Sequence, residues 1–194
     1  IAVSAGNRTS MALMADGTVW TWGAIYDGVD WSYDVGDVEG KRNATNLENA
    51  NSALTGAGYQ RTPMPVKRPV ESAYTGKGIF LRDTLEITAG SMSDHVMFLN
   101  ANNVGNVNQS GELKKDASPV VYALGANNVQ QLGNTGAGAS STLPVRAEFL
   151  HDSLTADDRI ASIAVGGNQS GALLEGGAVW TWGSGKTAAG VTLS

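Results

Sequence analysis

Apolar and polar side chains alternate with a period of two residues in several short segments of the chain. Trp20 and Trp22 share one face of such a segment, with Val19 and Thr21 on the other. Because successive side chains of a strand point to opposite faces, this period indicates β-strands. An Asp-Gly pair that ends at Gly17 lies between two alternating segments and predicts a tight hairpin turn. No segment carries apolar residues at helical spacing, so we predict an all-β fold.

Three hairpins repeat along the chain, at residues 1–23, 85–125 and 160–183. The first and last copies both end in Trp-Thr-Trp-Gly, at the same distance after an Ala-Gly or Val-Gly pair. The middle copy and the first connection hold extra residues, which we assign to insertions at about 101–119 and 24–62. Repeats of this length with about four short strands each match the blades of a β-propeller better than a sandwich.

The unit that begins at the middle hairpin resembles a regulator-of-chromosome-condensation repeat. Its landmarks stand in the order that is typical of that family: Val121 to Gly125, then Gln131-Leu132-Gly133, then Pro144-Val145, then Ile160 to Gly166.

Several landmarks of the family are replaced in this chain. Gln130 stands where the family usually has glycine, and Leu124 stands where it usually has tryptophan. The first unit has its acidic insertion in place of a Gly-Gln-Leu-Gly step. The family's histidine before serine is missing from the outer copies, and His95 is its shifted counterpart in the middle copy.

The resemblance implies a seven-bladed propeller in full-length members, whereas this chain holds about three units. Three blades leave open sheet edges, which pair readily with other strands. We therefore expect residues 1–194 to form one partial propeller domain, either as a slice of a longer propeller or with its edges paired to other chains.

Charge and composition narrow the function classes. The formal net charge is −5 and the isoelectric point is about 4.9, without a basic patch, so we expect no nucleic-acid partner. No apolar run is long enough for a membrane span. The few charges and many polar residues favour an extracellular or cell-surface protein, bacterial in type. There is no cysteine and thus no thiol chemistry.

A Gly-Ser-Gly-Lys-Thr run follows Trp182 and resembles part of a phosphate-binding loop. That loop needs a glycine four residues before its Gly-Lys-Thr step, and this position is Trp180. We therefore predict no nucleotide site.

Carboxylates are concentrated in the first insertion. Calcium prefers several oxygen ligands from a flexible loop, but the spacing matches no helix-loop-helix calcium motif. A calcium site and a solvated acidic loop remain open as interpretations of Asp27, Asp30, Asp34, Asp37 and Glu39.

Aromatic residues outside the repeat landmarks are candidates for partner binding, since exposed aromatics often anchor interfaces. They could equally cover a small core of the insertion. The candidates are Trp31, Tyr33, Tyr59 and Tyr74. The repeated tryptophans at positions 20, 22, 180 and 182 suggest blade packing, with sugar stacking as the alternative.

Catalytic motifs are missing from the sequence. His95 and His151 have no evident catalytic partner, and there is no Gly-x-Ser-x-Gly elbow. We predict a non-enzymatic module without a cofactor, calcium apart, that binds a protein partner through face loops and insertions. Two alternatives are a structural surface or filament subunit that self-associates through open sheet edges, and a calcium- or carbohydrate-binding surface protein.

Overall fold

The computed structural model describes residues 1–23, 25–26, 31–32, 60–69, 80–101, 119–155, 157–184 and 191–192. The strands are β1 (Ala2–Ala5), β2 (Thr9–Leu13), β3 (Val19–Gly23), β4 (Ile25–Tyr26), β5 (Trp31–Ser32), β6 (Gln60–Pro65), β7 (Thr84–Ala89), β8 (His95–Asn100), β9 (Val120–Ala126), β10 (Ser140–Arg146), β11 (Ile160–Gly166), β12 (Gln169–Leu174), β13 (Ala178–Gly183) and β14 (Val191–Thr192). A 3-10 turn spans Thr135–Ala137, and a short helix, α1, spans Glu148–His151.

The strands form three four-stranded antiparallel sheets that follow one another along the chain. Their strand orders are β1-β2-β3-β6, β7-β8-β9-β10 and β11-β12-β13-β14, and we call these sheets blades 1, 2 and 3. Strands β4 and β5 pair separately. The all-β fold with three propeller blades, predicted from the repeats, is confirmed.

Equivalent residues of the three blades are defined by strand register. The glycine that closes each hairpin lies opposite Thr9 in blade 1, His95 in blade 2 and Gln169 in blade 3. His95 is therefore in register with the outer copies. Its shift in the sequence comes from the turn between β7 and β8, which is longer than the turns that precede Thr9 and Gln169.

The closing glycines are required by backbone geometry. Gly23 and Gly183 have φ angles of 99° and 97°, in the left-handed region that side chains disfavour. A Cβ atom on Gly23 would also collide with the carbonyl oxygen of Arg8, and one on Gly183 would collide with that of Asn168. The recurrence of this glycine thus follows from both φ and close packing.

Two apolar clusters hold the blades together. One joins blade 1 to blade 2 and includes Met11, Phe98 and Tyr122. The other joins blade 2 to blade 3 and includes Met97 and Trp182. Strands β8 and β9 of the middle blade are consequently buried on both faces.

The two insertions leave the blades at opposite ends. Gly23 pairs with Gln60 at the end where the β1–β2 and β7–β8 turns lie, and Asn7 Nδ2 donates there to Asp94 Oδ1 at 3.1 Å. We call this the glycine end. Asn100 pairs with Val120 at the opposite end. The first insertion is therefore attached to the glycine end and the second to the opposite end.

Candidate functional site

A buried hydrogen-bonded cluster joins blade 2 to blade 3 at the glycine end. The Nε2 atom of His95 lies 2.7 Å from Ser170 Oγ, and its Nδ1 atom lies 2.8 Å from Ser93 Oγ. Ser170 Oγ donates to the carbonyl oxygen of Gln131 at 2.6 Å, and the indole Nε1 of Trp182 donates to that oxygen at 3.0 Å. We call His95, Ser93, Ser170, Gln131 and Trp182 the interblade lock.

The bonding pattern assigns the tautomer of His95. Because Ser170 uses its proton on the Gln131 carbonyl, its oxygen must accept a proton from His95 Nε2. The Nδ1 atom is then unprotonated, and the one proton of Ser93 Oγ has two acceptors within reach, this Nδ1 atom at 2.8 Å and the backbone oxygen of His95 at 2.9 Å. Burial lowers the pKa of His95 to about 4, because desolvation disfavours the imidazolium form. His95 is thus a neutral structural residue near pH 7.

The loop that presents the Gln131 carbonyl is held by one asparagine. Asn127 Nδ2 donates to the carbonyl oxygens of Asn134 and Gly138, each at 2.9 Å, and Asn127 Oδ1 accepts from Leu132 N at 3.0 Å. Within this loop Gln130 has a φ angle of 65°. The family's usual glycine at this position is explained by that angle.

Gly133, which ends the Gln-Leu-Gly turn, makes room for Trp182. A Cβ atom at Gly133 would lie 2.9 Å from Trp182 Nε1. The turn and the tryptophan of the next blade are therefore matched in shape as well as in hydrogen bonding.

His151 has a second structural role, on α1. Its Nε2 atom accepts a hydrogen bond of 3.0 Å from Val121 N, a backbone donor of β9. Burial and the nearby positive charge of Arg146 lower the pKa of His151 to about 4. An imidazolium could not accept this bond, so His151 is also neutral near pH 7.

Most of the site residues predicted from the sequence lie outside the described part of the chain. These are Tyr33, Tyr59, Tyr74, Asp27, Asp30, Asp34, Asp37 and Glu39. Trp31 begins β5, where it pairs with Tyr26. Calcium binding and partner binding at these positions stay predictions.

The interblade lock can be predicted only in part from the sequence. The Gln-Leu-Gly step and the Trp-Gly step stand out as repeat landmarks, but the sequence does not show that they are in contact across a blade boundary. Ser170 follows a turn in a polar run, and only the register of β12 against β13 brings it beside Trp182.

The described residues contain no group of three or more histidine, aspartate and glutamate side chains that could hold a metal ion. No helix among them is long and apolar enough to cross a membrane.

Three stacked four-stranded sheets, joined through repeated turns, define this chain as part of a β-propeller. Two family models described as the regulator of chromosome condensation (RCC1) repeat match it, at residues 1–27 and at residues 120–173. Residues 1–27 and 120–173 are therefore RCC1-type repeats. No curated protein shows significant similarity to the sequence.

Solved structures share the fold at low sequence identity. Human WBSCR16 superposes with a TM-score of 0.54 at 17% identity, over 94% of this chain and 34% of that one. Yeast RCC1 (Prp20), in a crystal structure with Kap60, gives a TM-score of 0.35 at 19% identity, over 94% and 41%. Prp20p from Saccharomyces cerevisiae, which was characterised for its binding properties to Gsp1p and histones, gives a TM-score of 0.36 at 20% identity, over 94% of this chain and 43% of that one. The two yeast superpositions are too loose to support an argument. The chain spans between about a third and two fifths of the length of these proteins.

Proposed function

We propose that this protein is a non-enzymatic binding module that contacts a protein partner through the glycine end of its blades. RCC1-repeat propellers are in general protein-interaction modules. The observation that supports the glycine end as the contact surface is the position of the acidic insertion. It is attached through Gly23 and Gln60 at the end where the β1–β2 and β7–β8 turns lie.

The glycine end offers a rigid support for binding loops. The β1–β2 turn is tied to the β7–β8 turn by Asn7 N, which donates to Ser93 O at 3.3 Å, and by the Asn7–Asp94 bond. The 127–138 loop is held by Asn127, as described above. Variable loops on such a scaffold commonly carry binding specificity.

Charge indicates the chemistry of the partner. Residues 27–39 carry five carboxylates and no basic side chain. Opposite charge across an interface raises the association rate and excludes like-charged competitors. We therefore propose a partner with a basic contact surface, anchored by the insertion aromatics Trp31 and Tyr33.

The experiment begins with capture of a partner on the immobilised chain, identification by mass spectrometry, and calorimetric titration of the purified partner. We expect D30N/D34N/D37N to weaken the measured affinity at least tenfold. The matched control is E112Q/D116N, which removes carboxylates from the insertion at the opposite end and should bind as the parent does. Equal affinities for the parent and both variants would contradict the proposal.

A direct assay separates calcium from partner binding. If calcium raises the melting temperature of the parent but not of D30N/D34N/D37N, the insertion is a metal site. Partner affinity would then be measured again with and without calcium. If the parent bound its partner only in the presence of calcium, the carboxylates would be assigned to metal binding.

A further inference from the structure

A groove of about 330 Å³ lies between α1 of blade 2 and β13 of blade 3. Its lining combines aromatic rings with polar side chains, namely Phe149, Trp180, Trp182, Asp152, Ser153 and Thr181. Phe149 is 43% exposed and Trp180 is half-buried, so solvent reaches both residues. We call this cleft the α1 groove.

The hydrogen bonds leave acceptors facing the α1 groove. Ser153 Oγ donates its proton to the carbonyl oxygen of Phe149 at 2.8 Å, so its own oxygen is left to accept. The Trp182 indole uses its proton on the Gln131 carbonyl oxygen. The carboxylate of Asp152 is exposed and has no hydrogen-bond or ion-pair partner among the described residues. A ligand for this groove should therefore bring N–H donors.

The charge beside the α1 groove is negative. Residues 148–158 contain no lysine or arginine but four carboxylates, at Glu148, Asp152, Asp157 and Asp158. His151 in this segment is neutral near pH 7, as argued above, and Arg159, which follows it, is paired with Glu175 at 3.6 Å. Charge complementarity thus favours a cationic ligand.

Blade 1 contains a groove that combines similar side chains. The strand registers make Trp20 equivalent to Trp180. Trp20 lines a groove of about 620 Å³ that is built from other segments of the chain than the α1 groove. Its lining includes a second ring, a carboxylate and a guanidinium group, namely Phe80, Asp16 and Arg82.

The guanidinium group of the blade 1 groove is supplied by the chain itself. Hydrogen bonds from Thr18 are the main cause of the lowered pKa of Asp16, and the positive charge of Arg82 adds to it. The α1 groove offers the two rings and the carboxylate, but no described residue of its lining is basic. The comparison therefore indicates the kind of group that the α1 groove would accept.

We propose that the α1 groove binds the guanidinium group of an arginine side chain that a partner protein presents. The planar group lies against the rings of Trp180 and Phe149 and donates hydrogen bonds to the Asp152 carboxylate. Arginine stacks on aromatic rings and pairs with a carboxylate through two parallel hydrogen bonds, whereas the ammonium group of lysine does neither as well.

The exposure of the groove favours a protein partner over a free small molecule. Pockets for small ligands bury most of the ligand surface, whereas Asp152, Ser153 and Thr181 are all exposed. The α1 groove therefore suits the end of a side chain that the rest of a partner holds in place. No described residue of the β1–β2 or β7–β8 turn lines it, so this site goes beyond the glycine-end contact proposed above.

Titration with two matched peptides tests the proposal. The probe is acetyl-Gly-Gly-Arg-Gly-Gly-amide, and its control carries citrulline, which has the shape of arginine without the charge. We expect the arginine peptide to shift the NMR signal of the Trp180 indole proton, and the citrulline peptide to bind about tenfold more weakly. Asp152→Asn should weaken binding of the arginine peptide by about tenfold. Glu148→Gln, on the same helix but outside the lining, should change it by less than about twofold.

The contrary outcomes are distinct. The proposal is overturned if the arginine peptide leaves the Trp180 signal unchanged, or if the citrulline peptide binds equally well. Binding that appears only in Lys186→Ala would assign the groove to a lysine of this chain, and free arginine that binds more tightly than the peptide would assign it to a small ligand. Both would overturn the proposal.

The acidic insertion provides the control that separates this site from the glycine-end contact. The variant D30N/D34N/D37N should bind the arginine peptide as the parent does, even where it loses its protein partner. A variant that loses the peptide as well would place the peptide on the insertion and contradict the assignment to the α1 groove.

Discussion

The Nε2 atom of His95 and the Oγ atom of Ser170 lie 2.7 Å apart across the boundary between blades 2 and 3, although 75 positions separate them in the sequence. Both residues are fully or almost fully buried. The bond continues from Ser170 to the Gln131 carbonyl, where the Trp182 indole also donates. Adjacent blades are therefore joined by a polar network as well as by apolar packing.

His95→Ala tests the contribution of this network. The substitution leaves a cavity and deprives two buried serine hydroxyls of their ring partner, so we expect a loss of about 2–4 kcal/mol in the free energy of unfolding. Urea denaturation measures it. Glu148→Ala, at an exposed position of α1, is the control and should change stability by less than about 0.5 kcal/mol. A loss as small as that of the control would mean that the network is not stabilising.

Stability should fall in mild acid because of the two buried histidines. Both have pKa values lowered to about 4 in the fold, against a usual value of about 6.5 in an unfolded chain. Between these pH values the histidines are protonated in the unfolded chain but remain neutral in the folded chain. The free energy of unfolding therefore keeps its full value above about pH 6.5 and declines as the pH falls toward 4. Each histidine contributes up to roughly 3 kcal/mol of this decline.

The measurement is urea denaturation of the parent and of H95Q/H151Q between pH 7 and pH 4. Glutamine does not titrate, so the double variant should be less stable at pH 7 but lose less on acidification. Parallel curves for the two proteins would contradict the assignment of the decline to the histidines.

Gln130→Gly should stabilise the protein. The φ angle of 65° is strained for glutamine, and the side chain is exposed. Glycine relieves the strain but adds conformational freedom to the unfolded chain, so the net gain is about 0.5–1 kcal/mol. Gln130→Ala keeps the strain and should show no gain. Thermal unfolding of both variants measures the difference, and equal melting temperatures would refute the explanation.

A pair of glycine substitutions separates backbone strain from collision. Gly183 and Gly167 both have positive φ angles, but an added Cβ atom would collide with Asn168 O at Gly183 and meet nothing within 4 Å at Gly167. We expect Gly167→Ala to cost about 1 kcal/mol and Gly183→Ala roughly 3 kcal/mol or more. Similar costs in chemical denaturation would show that the close contact does not determine the recurrence of glycine at the end of the hairpins.

The strands, the hairpin glycines and the repeat order could be predicted from the sequence because they depend on local alternation and turn chemistry. The register of His95 could not be predicted, because two extra residues in the preceding turn displace it along the sequence but not in the sheet. The sequence also did not explain why Leu124 replaces tryptophan. The structure shows that blade 2 packs there against blade 1, which lacks the Gln-Leu-Gly turn.

The candidate binding residues could be proposed from composition, because clustered carboxylates and unpatterned aromatics stand out from a regular repeat. Their mutual arrangement could not be predicted, because the insertion has no second copy in the chain from which strand register could be inferred. The structure adds the point of attachment, at Gly23 and Gln60, and the proposal of a partner at the glycine end is based on it.

Hydrogen–deuterium exchange of the chain with and without its purified partner tests the central claim most directly. We predict slower exchange in residues 6–8, 90–94 and 127–138 at the glycine end and in the insertion around 24–62 that is attached there. Exchange in residues 14–18 and 175–177 should be unchanged. Protection confined to residues 14–18, 175–177 and the 101–119 insertion would place the partner at the opposite end and contradict the account.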